Sequence, residues 1–116
     1  MRYIMFVCVD PDHTAEDAAA APDIDDWLVA VEPNRVIGER LRPPADARTV
    51  RIRGGERLVT DGPYTESKEW IAGFDVLECD TIDQALDLAA AHPMAYGGRI
   101  EVRAFWPGDD EPGAGA

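Results

Sequence analysis

Residues Tyr3–Val9 read YIMFVCV, seven apolar residues in succession between Arg2 and Asp10. The run is far too short to span a membrane. It is apolar at both parities, as a strand covered on both sides should be. The rest of the chain must therefore supply cover for both faces of a sheet built around it.

The covering elements are legible in order. Thr14 is placed to cap a short Ala-rich helix that Pro22 stops or restarts. Pro22 also fits a first-turn position, with Asp23 to Asp26 favourable near a helix N-terminus. Ile24, Trp27, Leu28 and Val31 fall at helical spacing on one stripe, and Pro33 closes that helix. Val36–Leu41 reads as a second strand, with Gly38 marking a bulge or a close approach, and Pro43-Pro44 ends it. Thr49–Arg53 and Glu56–Thr60 flank Gly54-Gly55, a two-residue hairpin signal. In this hairpin Leu58 is expected to face the core. Ile71–Cys79 is a further strand. Thr81 and Gln84 form a capping box for a helix whose stripe is Ile82, Ala85, Leu86 and Ala89, and His92-Pro93 terminates it. Gly97-Gly98 reads as a turn before the last strand, Arg99–Trp106.

This order, β-α-β, a hairpin, then β-α-β, is an α+β fold of ferredoxin-like plan with an extra hairpin. Two helices cover one face of such a sheet. The other face, expected to carry residues such as Met5 or Phe74, needs a second copy of the chain. That predicts a homodimer with an α/β-barrel between its sheets. One domain, residues 1–106, is expected. The Gly-, Pro- and acid-rich segment 107–116 is expected to be a disordered tail.

Twenty-three acidic against 11 basic residues give a net charge of −12. Nucleic acids and anionic membranes require a basic footprint, so neither is an expected partner. Cys8 and Cys79 lie within apolar strands and read as buried free thiols. With no His or Cys at ligand spacing they make no zinc site. The N-terminal sequence carries no leader pattern, and a reducing cytoplasm is the expected location.

The densest chemistry is Val59–Phe74, VTDGPYTESKEWIAGF, where polar residues sit between two core strands. Asp61 precedes Gly-Pro, where its side chain can shape a turn; at a strand end facing a barrel mouth it is also a candidate general base. Tyr64, Glu66, Lys68 and Glu69 follow as candidate ligand-binding residues, with surface pairing the plainer reading for Glu66 and Lys68. Arg40 and Arg103 are candidates for an anion clamp, with a cross-strand pair between Glu101 and Arg103 as the plainer reading. His13 sits in an Asp-rich loop whose spacing fits no calcium site, and His92 reads as a helix cap. No Gly-rich phosphate loop or nucleophile elbow is present, so no cofactor is expected.

The run Val59-Thr60-Asp61-Gly62-Pro63-Tyr64-Thr65-Glu66-Ser67-Lys68-Glu69 resembles the signature of the YCII-related proteins of the DGPF type, with Tyr64 where that family has Phe. The likeness extends through Gly73-Phe74, Ile82–Ala91 and Ile100-Glu101-Val102-Arg103, and back to Gly38–Pro44 and Tyr3–Val9. The resemblance implies a dimeric ferredoxin-like barrel and companionship with extracytoplasmic-function sigma factors. Enzymes with this barrel include isomerases and dehydrochlorinases. In the broader group a His and an Asp form the catalytic pair, a role for which the resemblance offers Asp61 and, in a loosely aligned loop, His13. The expected function is binding of a small anionic or aromatic metabolite in the barrel. The alternatives are cofactor-independent proton transfer, isomerisation or elimination using Asp61, or a regulatory module bound to a sigma factor.

Overall fold

The computed structural model describes residues 1–62 and 70–107, residue 70 by its backbone alone. Six strands and four helices follow in order: β1 Arg2–Val9, α1 Ala15–Ala19, α2 Ile24–Val31, β2 Arg35–Arg40, β3 Arg48–Arg53, β4 Glu56–Asp61, β5 Trp70–Glu78, α3 Ile82–Ala90, α4 Met94–Gly97 and β6 Gly98–Ala104. A single 3-10 turn, Pro44–Asp46, precedes β3. The main sheet has the order β2-β5-β1-β6, every neighbouring pair antiparallel. The fold is α+β and ferredoxin-like, with β1 inside the sheet as its unbroken apolar run requires. The β3–β4 hairpin forms a separate two-stranded sheet. No helix among the described residues is long and apolar enough to cross a membrane.

Local chemistry explains the helix ends. The Thr14 hydroxyl accepts a hydrogen bond from the Asp17 N–H at 3.0 Å, and the Asp23 carboxylate accepts from Asp25 at 2.8 Å. Asp23 is thus the cap of α2, and Pro22 lies just outside the helix rather than in its first turn. Thr81 accepts from the Gln84 N–H, while Gln84 Oε1 accepts from the N–H of Asp80 rather than that of Thr81, a capping box displaced by one residue. Gly54 and Gly55 both have positive φ, 58° and 80°, as a primed hairpin turn demands. Gly97 closes the short helix α4 and Gly98 opens β6, so this glycine pair is a helix-to-strand junction rather than a free turn.

The core lies between the sheet and helices α2 and α3. Tyr3, Met5, Val7, Leu77 and Cys79 from the strands meet Trp27, Val31, Ala85 and Ala89 from the helices. The indole N–H of Trp27 donates to the Leu88 carbonyl at 2.7 Å and joins the two helices. That carbonyl is free to accept because the His92 N–H bonds to Ala89 instead. Met5 is fully buried in this core, so it belongs to the helix-covered face; strand alternation leaves Ile4, Phe6, Phe74 and Val76 on the open one. Leu58 is half-buried and outside the core, because β4 pairs with β3 and not with the main sheet. Cys8 and Cys79 are buried and form no disulfide, and the Cys8 thiol lies 3.7 Å from the Phe6 carbonyl.

Gly38 marks both a bulge and a close approach. The β2–β5 register shifts between Arg35 and Ile37, and a Cβ on Gly38 would collide with the carboxylate of Asp75 and the guanidinium of Arg35. Gly38→Ala is expected to lower stability by about 1–3 kcal/mol, in the range of overpacked sites. Thermal unfolding followed by circular dichroism should show a midpoint lower by roughly 4–12 °C; an unchanged midpoint would mean the pair moves aside freely.

Candidate functional site

A cavity of about 570 Å³ opens between the sheet and helix α2. Val7, Trp27, Leu28 and Met94 give it apolar walls, while Arg35, Arg40, Asp75 and His92 supply charge and hydrogen-bonding groups. The α2 stripe explains why the space exists. Trp27 and Val31 are buried, but Ile24 and Leu28 of the same stripe remain partly exposed, and both line the cavity.

Asp75 sits in the middle of β5, opposite Met5 on one side and Gly38 on the other. Alternation turns it toward the helices, and it is only 5% exposed. Arg35 Nε donates to Asp75 Oδ1 at 2.8 Å. A buried carboxylate is tolerated only with such a partner. Two opposed influences act on it. Burial pushes the carboxyl above its usual value, and the hydrogen bond and charge of Arg35 pull it back; burial wins.

His92 is 7% exposed, and its ring meets that of Trp27 edge-on with centroids 4.5 Å apart. Its Nδ1 accepts a hydrogen bond from the Met94 N–H at 2.9 Å. The neutral tautomer therefore carries its proton on Nε2. Burial, and then the nearby Arg35 charge, push its pKa down. His92 is not the cap expected at the end of α3, whose C-cap is Ala91; it lies one residue before Pro93, the N-cap of α4, and its ring accepts from the Met94 N–H at the start of that helix. The site thus holds a carboxylate raised toward protonation and an imidazole kept neutral, a pairing suited to moving protons.

The candidates named from sequence are distributed differently. Asp61 ends β4 with its side chain 85% exposed and paired with Arg48; it does not line the cavity. His13 is exposed in the loop after β1, with Nδ1 2.7 Å from the Asp10 carbonyl, and does not line it either. Arg40 lines the cavity. Arg103 pairs in register with Ile4, whereas Arg40 shares the parity of Gly38, so the two arginines lie on opposite faces of the sheet and form no joint clamp. Tyr64, Glu66, Lys68 and Glu69 lie outside the described residues. Among the described residues no group of three or more His, Cys, Asp or Glu is placed to hold a metal.

Asp75 and Arg35 were not picked out from the sequence, and His92 was read only as a helix cap. One signal was available: Asp75 interrupts the apolar run of β5 at the parity of Leu77 and Cys79. Nothing local indicated Arg35, which reads as a polar residue before a strand.

The fold and this cavity define a small ferredoxin-like α+β domain with an Arg35–Asp75 ion pair and a buried His92 lining one space beneath its sheet. The chain belongs to the YCII-related family, whose domain model matches residues 1–108. It is similar to an uncharacterised protein of Rhizobium meliloti strain 1021, 46% identical over 68 residues, which is 55% of this chain and 53% of the relative. The chain therefore matches about half the length of that relative. Among solved structures it is similar to 5-chloro-2-hydroxyhydroquinone dehydrochlorinase of Burkholderia phenoliruptrix AC1100, determined with 2,5-dihydroxybenzoquinone, at 14% identity and a TM-score of 0.48 over 97% of this chain and all of the other.

The two shifts have opposite consequences for stability. His92 has its folded pKa depressed from an ordinary value of 6.5. The folded state therefore resists the proton, and its stability falls as pH drops below 6.5 until the folded-state pKa is passed. Asp75 is raised from 3.8, so its contribution is complete at low pH and lost as pH climbs through the raised value. His92→Asn keeps an acceptor for the Met94 N–H and cannot titrate. Chemical denaturation from pH 7.5 to 5 should show wild type losing stability relative to this variant below pH 6.5. Parallel curves would place His92 in a solvated setting.

Proposed function

We propose that this YCII-related protein takes a small molecule with an aromatic or otherwise apolar body and an anionic oxygen into the Trp27–His92 cavity, and transfers a proton on it without a cofactor. The observation that carries this reading is the Arg35–Asp75 pair, its carboxylate buried, lining the same apolar-walled space as a His92 whose Nδ1 is an acceptor. Arg35 and Arg40 supply positive charge for the anionic group. The Asp75 carboxylate accepts the proton leaving the substrate, and His92 Nε2–H donates at the site of charge development, which describes an isomerisation or elimination. Asp61 and His13, exposed and away from the cavity, take no part in this scheme.

A second reading, binding without turnover, is favoured by one feature: Asp75 is already engaged by Arg35, which lowers its basicity. Both readings use a dimer. Ile4, Phe6, Phe74 and Val76 form an apolar sheet face with no helix over it among the described residues, and a second copy packed there would complete a barrel. Cytoplasmic location is part of the same proposal.

Native mass spectrometry of protein purified from its cells should report a dimer and the mass of any retained molecule. With that molecule or a close analogue, Asp75→Asn is expected to lower the proton-transfer rate at least about 100-fold, the scale of a lost general base, with the dissociation constant changed far less. NMR exchange of substrate hydrogen into deuterated water reads the rate, and calorimetry the affinity. Binding without exchange in wild type selects the second reading. Full activity in Asp75→Asn would sink the first.

A further inference from the structure

We propose that the β3–β4 hairpin is an arm that packs on a second copy of this chain, against the edge strand β2 of that copy. The hairpin pairs with itself as a two-stranded sheet, an arrangement of marginal stability in water unless something covers it. One face of it is apolar and uncovered. Val50 and Val59 stand directly opposite one another, Ile52 stands opposite Arg57, and the three apolar residues are 61%, 51% and 59% exposed in the order Val50, Val59, Ile52.

Charge indicates what covers it. Residues 48–61 hold four arginines, Arg48, Arg51, Arg53 and Arg57, against Glu56 and Asp61, a net of +2. The remainder of this −12 chain then carries −14. The hairpin is a basic, apolar element attached to a strongly acidic body, so another copy of that body attracts it. Strand β2 offers the matching surface. It is an edge of the main sheet, its Val36 and Ile37 are 47% and 51% exposed, and Glu39 in the same strand is exposed as well. Edge strands with apolar side chains are usually covered, yet among the described residues no strand pairs with the outer side of this one. Two copies bring Val50, Ile52 and Val59 of one against Val36 and Ile37 of the other, with Arg57 near the partner's Glu39. The inference rests on the dimer proposed above and adds the element that would lock it.

Sedimentation equilibrium on the full chain tests it, using Val50→Ser/Ile52→Ser/Val59→Ser, Arg57→Glu, Glu39→Arg, and the last two combined. All five positions are exposed, so folding should survive, and circular dichroism checks that. Dimer dissociation constants are expected to rise at least roughly tenfold in the triple variant and in each single charge reversal, and to recover in the combined reversal, with wild type weakened by added salt. A wild-type dimer unmoved by the arm variants overturns the arm while leaving the dimer standing. Weakening without recovery in the combined reversal overturns the assignment to β2. A wild type that stays monomeric overturns the dimer and the arm together.

Discussion

The ion pair between Arg35 and Asp75 is the constraint to which this half of the sheet is fitted. A carboxylate on the covered face of a central strand must be neutralised where it stands, because burial opposes its charge. Arg35 does so from the neighbouring strand, and the β2 bulge lets the guanidinium turn inward. The pair occupies the space that a side chain on Gly38 would need, so a glycine two residues before the end of β2 is a steric requirement. Burial, and after it the charge of Arg35, disfavours protonation of His92, and the neutral imidazole presents one accepting and one donating nitrogen.

Most of the fold was legible because its causes are local. The unbroken run of β1, the caps at Thr14 and Thr81, the double glycine of the hairpin and the prolines after α2 and α3 each act within a few residues. Gly38 announced a close approach without naming what approaches. The site was less legible because it is assembled across the chain. Arg35, Asp75 and His92 are far apart in sequence, and only the strand order β2-β5 brings the first two together. The polar cluster after Asp61 drew the eye because its residues are adjacent. Adjacent polar residues at a strand end are as readily solvated as they are functional, and Asp61 is solvated. Arg40 and Arg103 were told apart only by parity, which depends on a bulge that the sequence hints at but does not count.

The sheet is strongly two-sided. One face is closed by α2 and α3, with Trp27 tied to the Leu88 carbonyl and Met5 fully enclosed. The other carries Phe6 opposite Phe74 and Ile4 opposite Val76, between Glu39 on one edge and Glu101 on the other. This arrangement, aromatic at the centre with Glu39 on one edge and both Glu101 and Arg103 on the other, differs from the acidic helices and from the basic hairpin. The chain therefore separates its charge by element, while the cavity brings Arg35 and Arg40 together with the acidic Asp75 and Glu39.

The contact between the Trp27 and His92 rings gives the molecule an optical readout of its own interior. An indole excited in the near ultraviolet loses emission to a protonated imidazole at van der Waals range far more readily than to a neutral one. Trp27 is 3% exposed and Trp106 80% exposed, so a dissolved quencher silences the second and spares the first. With Trp70, the third indole of the chain, replaced by Phe, the light that survives reports on the cavity. Its intensity follows the proton on His92, and its colour shifts when a molecule displaces water from beside the indole, with no label attached.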